Sequence, residues 1–451
     1  MDRNVFIAAS SKSALGAVGN PTGRLGSFGT YLAAPTHSAD SRSWDFRVGN
    51  RAFVILILTT LGLVIIPEVI NHLIVKHSPD LGIGRALVSA ETPIASLAKW
   101  AGSGVLLAVG TLCALMRGHP NRDITWLLVL LFALNLPYVV GPEPPGPADL
   151  IKIVLANIVL MAIWNTGARV AELKWIPIVV SGVGVYSIIG GLIIPEYMMY
   201  NMVSRKSIIA GWELAGPFGQ SNALGMYCGI AFSLVPLVVG NRWRVLCASI
   251  LFATIVLSAT RTAVMAAIIV LAWWVLCWLR SVISIRLAGT VFASLAVVAA
   301  LSVPFLNWSP DAFTGRALIW TQALSVWQQS PVVGLGFNWF LAYGQWSEEL
   351  VVWAGAGTGH NILVDTLVKS GLASVAALVP VWIGAIFATR AIRVTNEQIA
   401  CFGYLIAFFV IAMTEAVWDL WPSTQQFATS GLIFATLLMS RDGDKFSEGP
   451  S

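Results

Sequence analysis

Two arginines lie where long apolar runs give way to polar sequence, and both have the surroundings of an anion-binding site. Arg261 lies in the Ser-Ala-Thr-Arg-Thr turn at 258–262, and Arg316 begins a helical pattern after Thr-Gly. A guanidinium donates two parallel hydrogen bonds, and a helix N-terminus adds partial positive charge, so both positions suit a diphosphate. The alternatives are an Arg261 that reaches to lipid headgroups and an Arg316 that is merely solvated.

His360 follows the glycine-rich stretch 355–359 at the start of an apolar run. An imidazole changes protonation near neutral pH, which suits general-base catalysis, and nearby arginines favour the neutral form that accepts a proton. The glycines let the backbone approach a bulky ligand. A lone histidine is also commonly a packing residue, so its chemistry alone leaves both interpretations open.

Four more polar residues are candidates for positioning a ligand. Gln220 and Asn222 lie in a turn of glycines and amide side chains, residues 216–222, which either positions a ligand or caps the next helix. Asn361 follows the histidine directly. Glu415 lies within an apolar run, where an ionisable residue is a functional candidate by default; its alternative role is a structural pair with an arginine.

The sequence predicts no metal site and no cofactor. All five cysteines lie in apolar runs without CxxC or metal-ligand spacing, which predicts packing residues. Glu348 and Glu349 are adjacent carboxylates, but no aspartates or histidines with ligand spacing accompany them.

Composition predicts that membrane helices position these residues. Of 451 residues, 57% are hydrophobic and 11% charged, whereas soluble domains have about 25% charged residues. Several runs reach the roughly 20 apolar residues that cross a bilayer. We expect an all-α, polytopic membrane protein, with membrane lipids and no nucleic acid among its partners.

The apolar pattern predicts twelve spans within a bundle at 51–440, between flexible cytoplasmic tails at 1–50 and 441–451. The long tenth span is expected to tilt or break near Pro380. The predicted spans are Phe53–Ile70, Leu97–Met116, Ile124–Val140, Leu150–Ala168, Trp175–Ile194, Ala223–Gly240, Val245–Ser258, Thr262–Leu279, Leu287–Phe305, Asn361–Thr389, Ile399–Trp418 and Gln425–Met439.

Lysines and arginines predict the orientation. With the N-terminus in the cytoplasm, most of them fall on the cytoplasmic side, and each short inner loop carries a basic pair. This predicts the inner membrane, two cytoplasmic termini and a large outer loop at 306–360. Long loops are usually functional. An amphipathic helix is expected over Gly315–Gln329, with Trp320, Leu324 and Trp327 on one face.

The order of these motifs resembles the O-antigen ligase and Wzy-type polymerase superfamily of integral-membrane glycosyltransferases. The motifs are the polar turn at 216–222, Ser-x-x-Arg-Thr at 258–262, Gly-Arg-x-x-x-Trp at 315–320, Pro-Val-Val-Gly-Leu-Gly at 331–336 and His-Asn at 360–361. The resemblance covers residues 216–371, and before that it is hydropathy alone.

The resemblance implies transfer of a glycan from an undecaprenyl-diphosphate carrier to a glycan, lipid or protein hydroxyl. In that family neither a nucleotide sugar nor a metal takes part, and the resemblance implies the same here. Arg261 and Arg316 would bind the diphosphate and stabilise its growing charge, and His360 would accept the proton of the acceptor hydroxyl. Single in-line attack would invert the anomeric carbon. Whether the product is a polymer or a conjugate is left open.

Two other classes of function compete. A transporter or flippase of a polysaccharide or lipid-linked precursor would show charged or broken helices at the bilayer midplane, and Glu415 with some glycines and prolines is the only hint of this. A non-catalytic scaffold of a glycan-export complex is the third possibility.

Overall fold

The computed structural model describes residues 38–77, 91–116, 123–142, 145–201, 211–279, 284–340, 357–420 and 426–440. The chain divides into two compact units, Met1–Trp44 and Asp45–Ser451. Of the first unit, the described part is the beginning of a helix at Ser38, which lies within the stretch predicted as an N-terminal tail. The predicted tail at 441–451 lies outside the described residues.

The described chain is helical apart from two short strands, which confirms the all-α class. Strands β1 (Met199–Asn201) and β2 (Trp212–Leu214) pair antiparallel, with Met199 opposite Leu214. The helices are α1 (Ser38–Ile74), α2 (Pro93–Leu115), α3 (Thr125–Val140), α4 (Pro147–Thr166), α5 (Trp175–Ile193), α6 (Pro195–Met198), α7 (Ser221–Ser233), α8 (Asn241–Leu257), α9 (Arg261–Trp278), α10 (Ile285–Ser302), α11 (Arg316–Trp327), α12 (Ile362–Ala391), α13 (Thr395–Ala412) and α14 (Gly431–Met439).

Eight helices of the described chain are long and apolar enough to cross a bilayer, so the protein is a multi-pass membrane protein. These are α1, α2, α4, α5 with the turn before it, α9, α10, α12 and α13. Each of the twelve predicted spans contains a helix, but α3, α7, α8 and α14 have 16, 13, 17 and 9 residues. The count of twelve spans therefore stays a prediction.

Helix α13 forms the centre of the bundle. Every residue from Ala400 to Ala412 is buried, and the helix contacts α7, α9, α10 and α12. Gly289 of α10 allows one of these approaches, because a Cβ atom there would lie 2.4 Å from Phe402 Cδ2. Small residues let membrane helices pack closely where burial of apolar surface gives little driving force.

Helix α12 is broken at Gly371, where φ is 68° and ψ is −170°. Of the expected tilt or break near Pro380, the break does not occur there, since Pro380 lies within the helix. The freed backbone groups bond to residues 331–336, which we call the seam: Leu335 N–H donates to Val368 O at 2.7 Å and Leu372 N–H to Pro331 O at 2.9 Å. Proline removes one donor, whereas glycine permits the positive φ that a sharp break needs.

The helix predicted in the large loop is confirmed as α11. Trp320 is fully buried and forms a small separate core with Val364 and Val368, which belong to the first segment of α12. Leu324 and Trp327 pack on the edge of this core, as their spacing indicated. The loop helix and the first segment of α12 are thus held together beside the bundle.

Candidate functional site

Arg316, His360 and Glu415 come together, although up to 99 residues separate them in the chain. Glu415 follows the end of α13, and its Oε1 accepts a hydrogen bond of 2.5 Å from Arg316 Nη2 at the start of α11. The other carboxylate oxygen, Oε2, lies 3.4 Å from His360 Nδ1, just before α12. We call these three residues the triad.

The triad is largely shielded from solvent, with side-chain exposures of 6% for Glu415, 14% for Arg316 and 23% for His360. Burial raises the pKa of the Glu415 carboxyl, but the nearby Arg316 and His360 outweigh this and hold it below its usual value. Glu415 is therefore a carboxylate at neutral pH. A buried charge of this kind is tolerated because its partners hydrogen-bond to it.

The backbone around the candidate residues is unusual. In the described chain the non-glycine residues with positive φ all lie at, or within three residues of, Arg261, Arg316 or His360. Left-handed backbone is costly for residues with a side chain, so it is kept where the surrounding structure demands it, and such residues cluster at functional sites. The residues are Ala259, Phe313, Thr314 and His360, with φ values of 53°, 54°, 65° and 45°.

Asn361 fixes the position of His360. Its Oδ1 caps α12 by accepting hydrogen bonds from the N–H groups of Leu363 and Val364 at 2.8 and 3.1 Å. Its Nδ2 donates to Ala300 O and Met413 O, both at 2.9 Å. The side chain is fully buried. Asn361 thus joins the start of α12 to the ends of α10 and α13, which we call the loop end of the bundle.

Arg261 lies at the loop end of the bundle and is exposed. Helices α9 and α13 run antiparallel, because Trp273 Nε1 donates to Ile399 O at 2.9 Å near one end. Near the other end, a Cβ atom at Gly229 would lie 3.3 Å from Ile411 Cδ1 and 3.5 Å from Ala263 Cβ. Arg261 precedes Ala263 in the chain, and Glu415 follows Ile411. Both residues therefore lie on the loop-end side of the contact between Gly229, Ile411 and Ala263.

Gln220 and Asn222 flank the start of α7, where Gln220 is exposed and Asn222 half-buried. The preceding turn is held from outside: His77 Nε2 lies 3.3 Å from Gly216 O, and the Tyr200 hydroxyl donates to Gly219 O. The next contact leads toward Arg261, since Thr260 Oγ1 donates to Ser221 O at 3.2 Å. The turn at 216–222 is thus in direct contact with Thr260, the residue that precedes Arg261.

The roles of His77, Tyr200 and Thr260 in holding this turn were not predicted from the sequence. His77 is 139 residues from Gly216, so no local spacing predicts their contact. The one signal in the sequence was the placement of a histidine and a tyrosine just after apolar runs. Within the described residues no group of three or more histidines, cysteines, aspartates or glutamates could hold a metal ion.

Fold and site define a multi-pass helical membrane protein with an arginine–carboxylate–histidine cluster where a loop helix meets the bundle. Residues 246–379 match the O-antigen ligase family (Wzy_C), a segment that contains Arg261, Arg316 and His360. The chain is also 27% identical over 239 residues to the exopolysaccharide production protein ExoQ of Rhizobium meliloti (strain 1021). That match covers 45% of this chain and 54% of the relative. The resemblance to the O-antigen ligase and Wzy-type superfamily, indicated by the motif order, is confirmed by both matches.

Proposed function

We propose that the protein transfers a glycan from an undecaprenyl-diphosphate carrier to an acceptor hydroxyl, as a ligase or polymerase, at the outer face of the inner membrane. The observation that carries this proposal is the contact of Arg316 and His360 with the two oxygens of Glu415. An anion-binding guanidinium and a proton acceptor are thereby held side by side, and this pairing is what transfer from a diphosphate carrier requires.

His360 is the proposed general base. In the tautomer with the proton on Nδ1, that N–H donates to Glu415, and Nε2 keeps a lone pair for the acceptor proton. A carboxylate that orients imidazole and stabilises the protonated form is the arrangement of hydrolytic triads. Glu415 is then a positioning residue, because it acts through its two partners.

Arg316 and Arg261 are the proposed diphosphate ligands. Glu415 engages one Nη of Arg316, and a guanidinium has five N–H donors, so others remain for phosphate oxygens. The acceptor oxygen attacks the anomeric carbon, its proton passes to His360 Nε2, and the bond from that carbon to the diphosphate breaks. The bonding electrons leave with the diphosphate, and the arginines stabilise the charge that forms there. In-line attack inverts the anomeric carbon, and no metal is needed.

The broken helix α12 bears on the transporter alternative. Gly371 interrupts the helix about 14 Å from its start, a depth at which transporters place substrate sites. Here the freed backbone groups are bonded to the seam instead of lining a path. This arrangement favours the transferase over the transporter, because the break shapes the loop end and does not open a path.

The test is glycan transfer in purified membranes supplied with the lipid-linked donor. We expect His360→Ala to reduce transfer by about 100-fold or more at unchanged protein level. Gln329→Ala, an exposed change just after α11, is the matched control and should leave transfer unchanged. Full transfer by His360→Ala would remove the base from the proposal. Movement of the donor across the membrane without bond formation would favour a transporter.

A further inference from the structure

A cavity of about 420 Å³ opens at the end of the bundle opposite the triad. It lies between the starts of α8 and α13, the end of α9 and the turn after α7. Its size falls within the roughly 300–1,000 Å³ of ligand-binding pockets. The residues that matter here are Arg244, Val245, Ala248, Trp274 and Ile399. None of them belongs to the site of the proposed transfer reaction.

The interior of the cavity suits hydrocarbon. Val245, Ala248, Trp274 and Ile399 present mainly carbon atoms. The neighbouring surface is strongly apolar, with Val245 66% and Trp278 83% exposed, as expected of residues that face lipid or its interface. An apolar cavity does not hold water stably, and an empty one loses dispersion contacts along its walls. A flexible acyl chain of the bilayer fills this space without water and restores the dispersion contacts along the walls.

The mouth of the cavity suits a phosphate group. Arg244 Nε donates to Val238 O at 2.6 Å, which fixes the guanidinium at the lining while its terminal nitrogens keep further donors. Planar guanidinium groups bind phosphate oxygens through two parallel hydrogen bonds. Thr395 and Asn396 lie across the mouth and add polar side chains. One positive group thus lies at the edge of an apolar interior.

We propose that this cavity binds one anionic phospholipid of the surrounding bilayer, with its phosphate on Arg244 and one acyl chain between Ala248 and Trp274. The charge at the mouth and the apolar lining match the two halves of such a lipid. Basic pockets between membrane helices recognise anionic headgroups in this way. The site is separate from the transfer site, so it stands or falls independently of the proposed reaction.

Binding is tested on the full-length protein, purified in neutral detergent and titrated with phosphatidylglycerol or phosphatidylcholine while thermal unfolding is followed. We expect phosphatidylglycerol to raise Tm saturably, and Arg244→Ala to weaken its apparent affinity about tenfold or more. Ala248→Trp should abolish the effect by filling the cavity. The matched controls are Arg242→Ala, two residues from Arg244, and Ala253→Trp on the exposed face of α8; both should keep most of the rise in Tm.

Photocrosslinking locates the lipid directly. Phosphatidylglycerol with a diazirine on its acyl chain should label peptides that contain Trp274 or Ala248 in the wild-type protein and in Arg242→Ala. At subsaturating lipid, labelling should fall about tenfold or more in Arg244→Ala, a variant that leaves the packed core intact. Equal labelling and equal rises in Tm in Arg244→Ala and the wild type would overturn the proposal, as would equal responses to the two lipids.

Discussion

The two oxygens of the Glu415 carboxylate face different partners, so a single substitution separates charge from shape at the site. Glu415→Gln keeps the volume and one acceptor oxygen but leaves Arg316 without a carboxylate. Removing one partner of a buried ion pair costs about 3–5 kcal/mol. We expect a clear fall in Tm and loss of transfer activity. Glu172→Gln, which removes a buried carboxylate paired with Lys174 away from the triad, is the matched control.

The pH dependence of stability has a defined sign at the same residue. The pKa of Glu415 in the folded protein lies below the ordinary glutamate value of 4.5, because Arg316 and His360 favour the carboxylate. The unfolded chain therefore binds the proton first as pH falls. The stability that Glu415 contributes is present above pH 4.5 and is lost as pH falls through its lowered pKa. Glu415→Gln should lack this acid-dependent loss in unfolding experiments, and an identical profile would contradict the assigned pairing.

Among the helices, the break in α12 at Gly371 is the feature that most constrains the site. A Cβ atom at Gly371 would lie 2.2 Å from Val332 O, and one at Gly334 would lie 2.5 Å from Ser370 N. Both glycines also have positive φ, so alanine adds backbone strain of about 1–3 kcal/mol to the clash. We expect Gly371→Ala to lower Tm and transfer together.

Gly182→Ala is the control for that experiment. Gly182 lies within α5, and a Cβ atom added there meets nothing within 4 Å. Alanine in a helix is more favourable than glycine by about 1 kcal/mol, so this variant should be as stable as the wild type or more so. If Gly371→Ala were equally harmless, the seam would not be what positions the first segment of α12.

The turn before α7 depends on a buried histidine outside the membrane-spanning helices. Burial lowers the pKa of His77 to about 4, with a smaller effect of His72, whose ring lies 4.4 Å away. Since the unfolded value is about 6.5, the stability contributed by neutral His77 is complete above pH 6.5 and is lost as pH falls toward 4. His77→Gln keeps a donor for Gly216 O and removes the titration, so its unfolding should vary less over this range.

The elements were more predictable from the sequence than the contacts between them. Each predicted span contains a helix because long apolar runs determine membrane helices locally. The face of α11 followed from the spacing of Trp320, Leu324 and Trp327. The contacts of Glu415 with its partners and of His77 with Gly216 depend on packing between segments that are distant in the chain. The spacing of residues in the sequence does not predict such contacts. The break in α12 was misplaced because proline is an obvious signal in a sequence, whereas Gly371 is needed only once the seam is known.

Topology is the property of the whole molecule on which the proposed function depends. Helix α12 is long and apolar enough to cross the bilayer, so we expect the loop that carries α11 and the short turn before α13 to lie on opposite sides of the membrane. The excess of lysines and arginines in the other short loops predicts that the α11 side is outside. All five native cysteines are buried, which makes introduced cysteines usable as reporters.

We expect Ser325→Cys, on the exposed face of α11, to react with a membrane-impermeant maleimide in intact cells. Val394→Cys, at a residue 54% exposed in the turn before α13, should react only after the membrane is permeabilised. The opposite pattern would place the triad on the cytoplasmic side, where a donor presented at the outer face is out of reach, and would refute the outer-face reaction. Labelling of both from outside would show that α12 does not cross the membrane. The labelling therefore decides the side of the site without depending on which sugar is transferred.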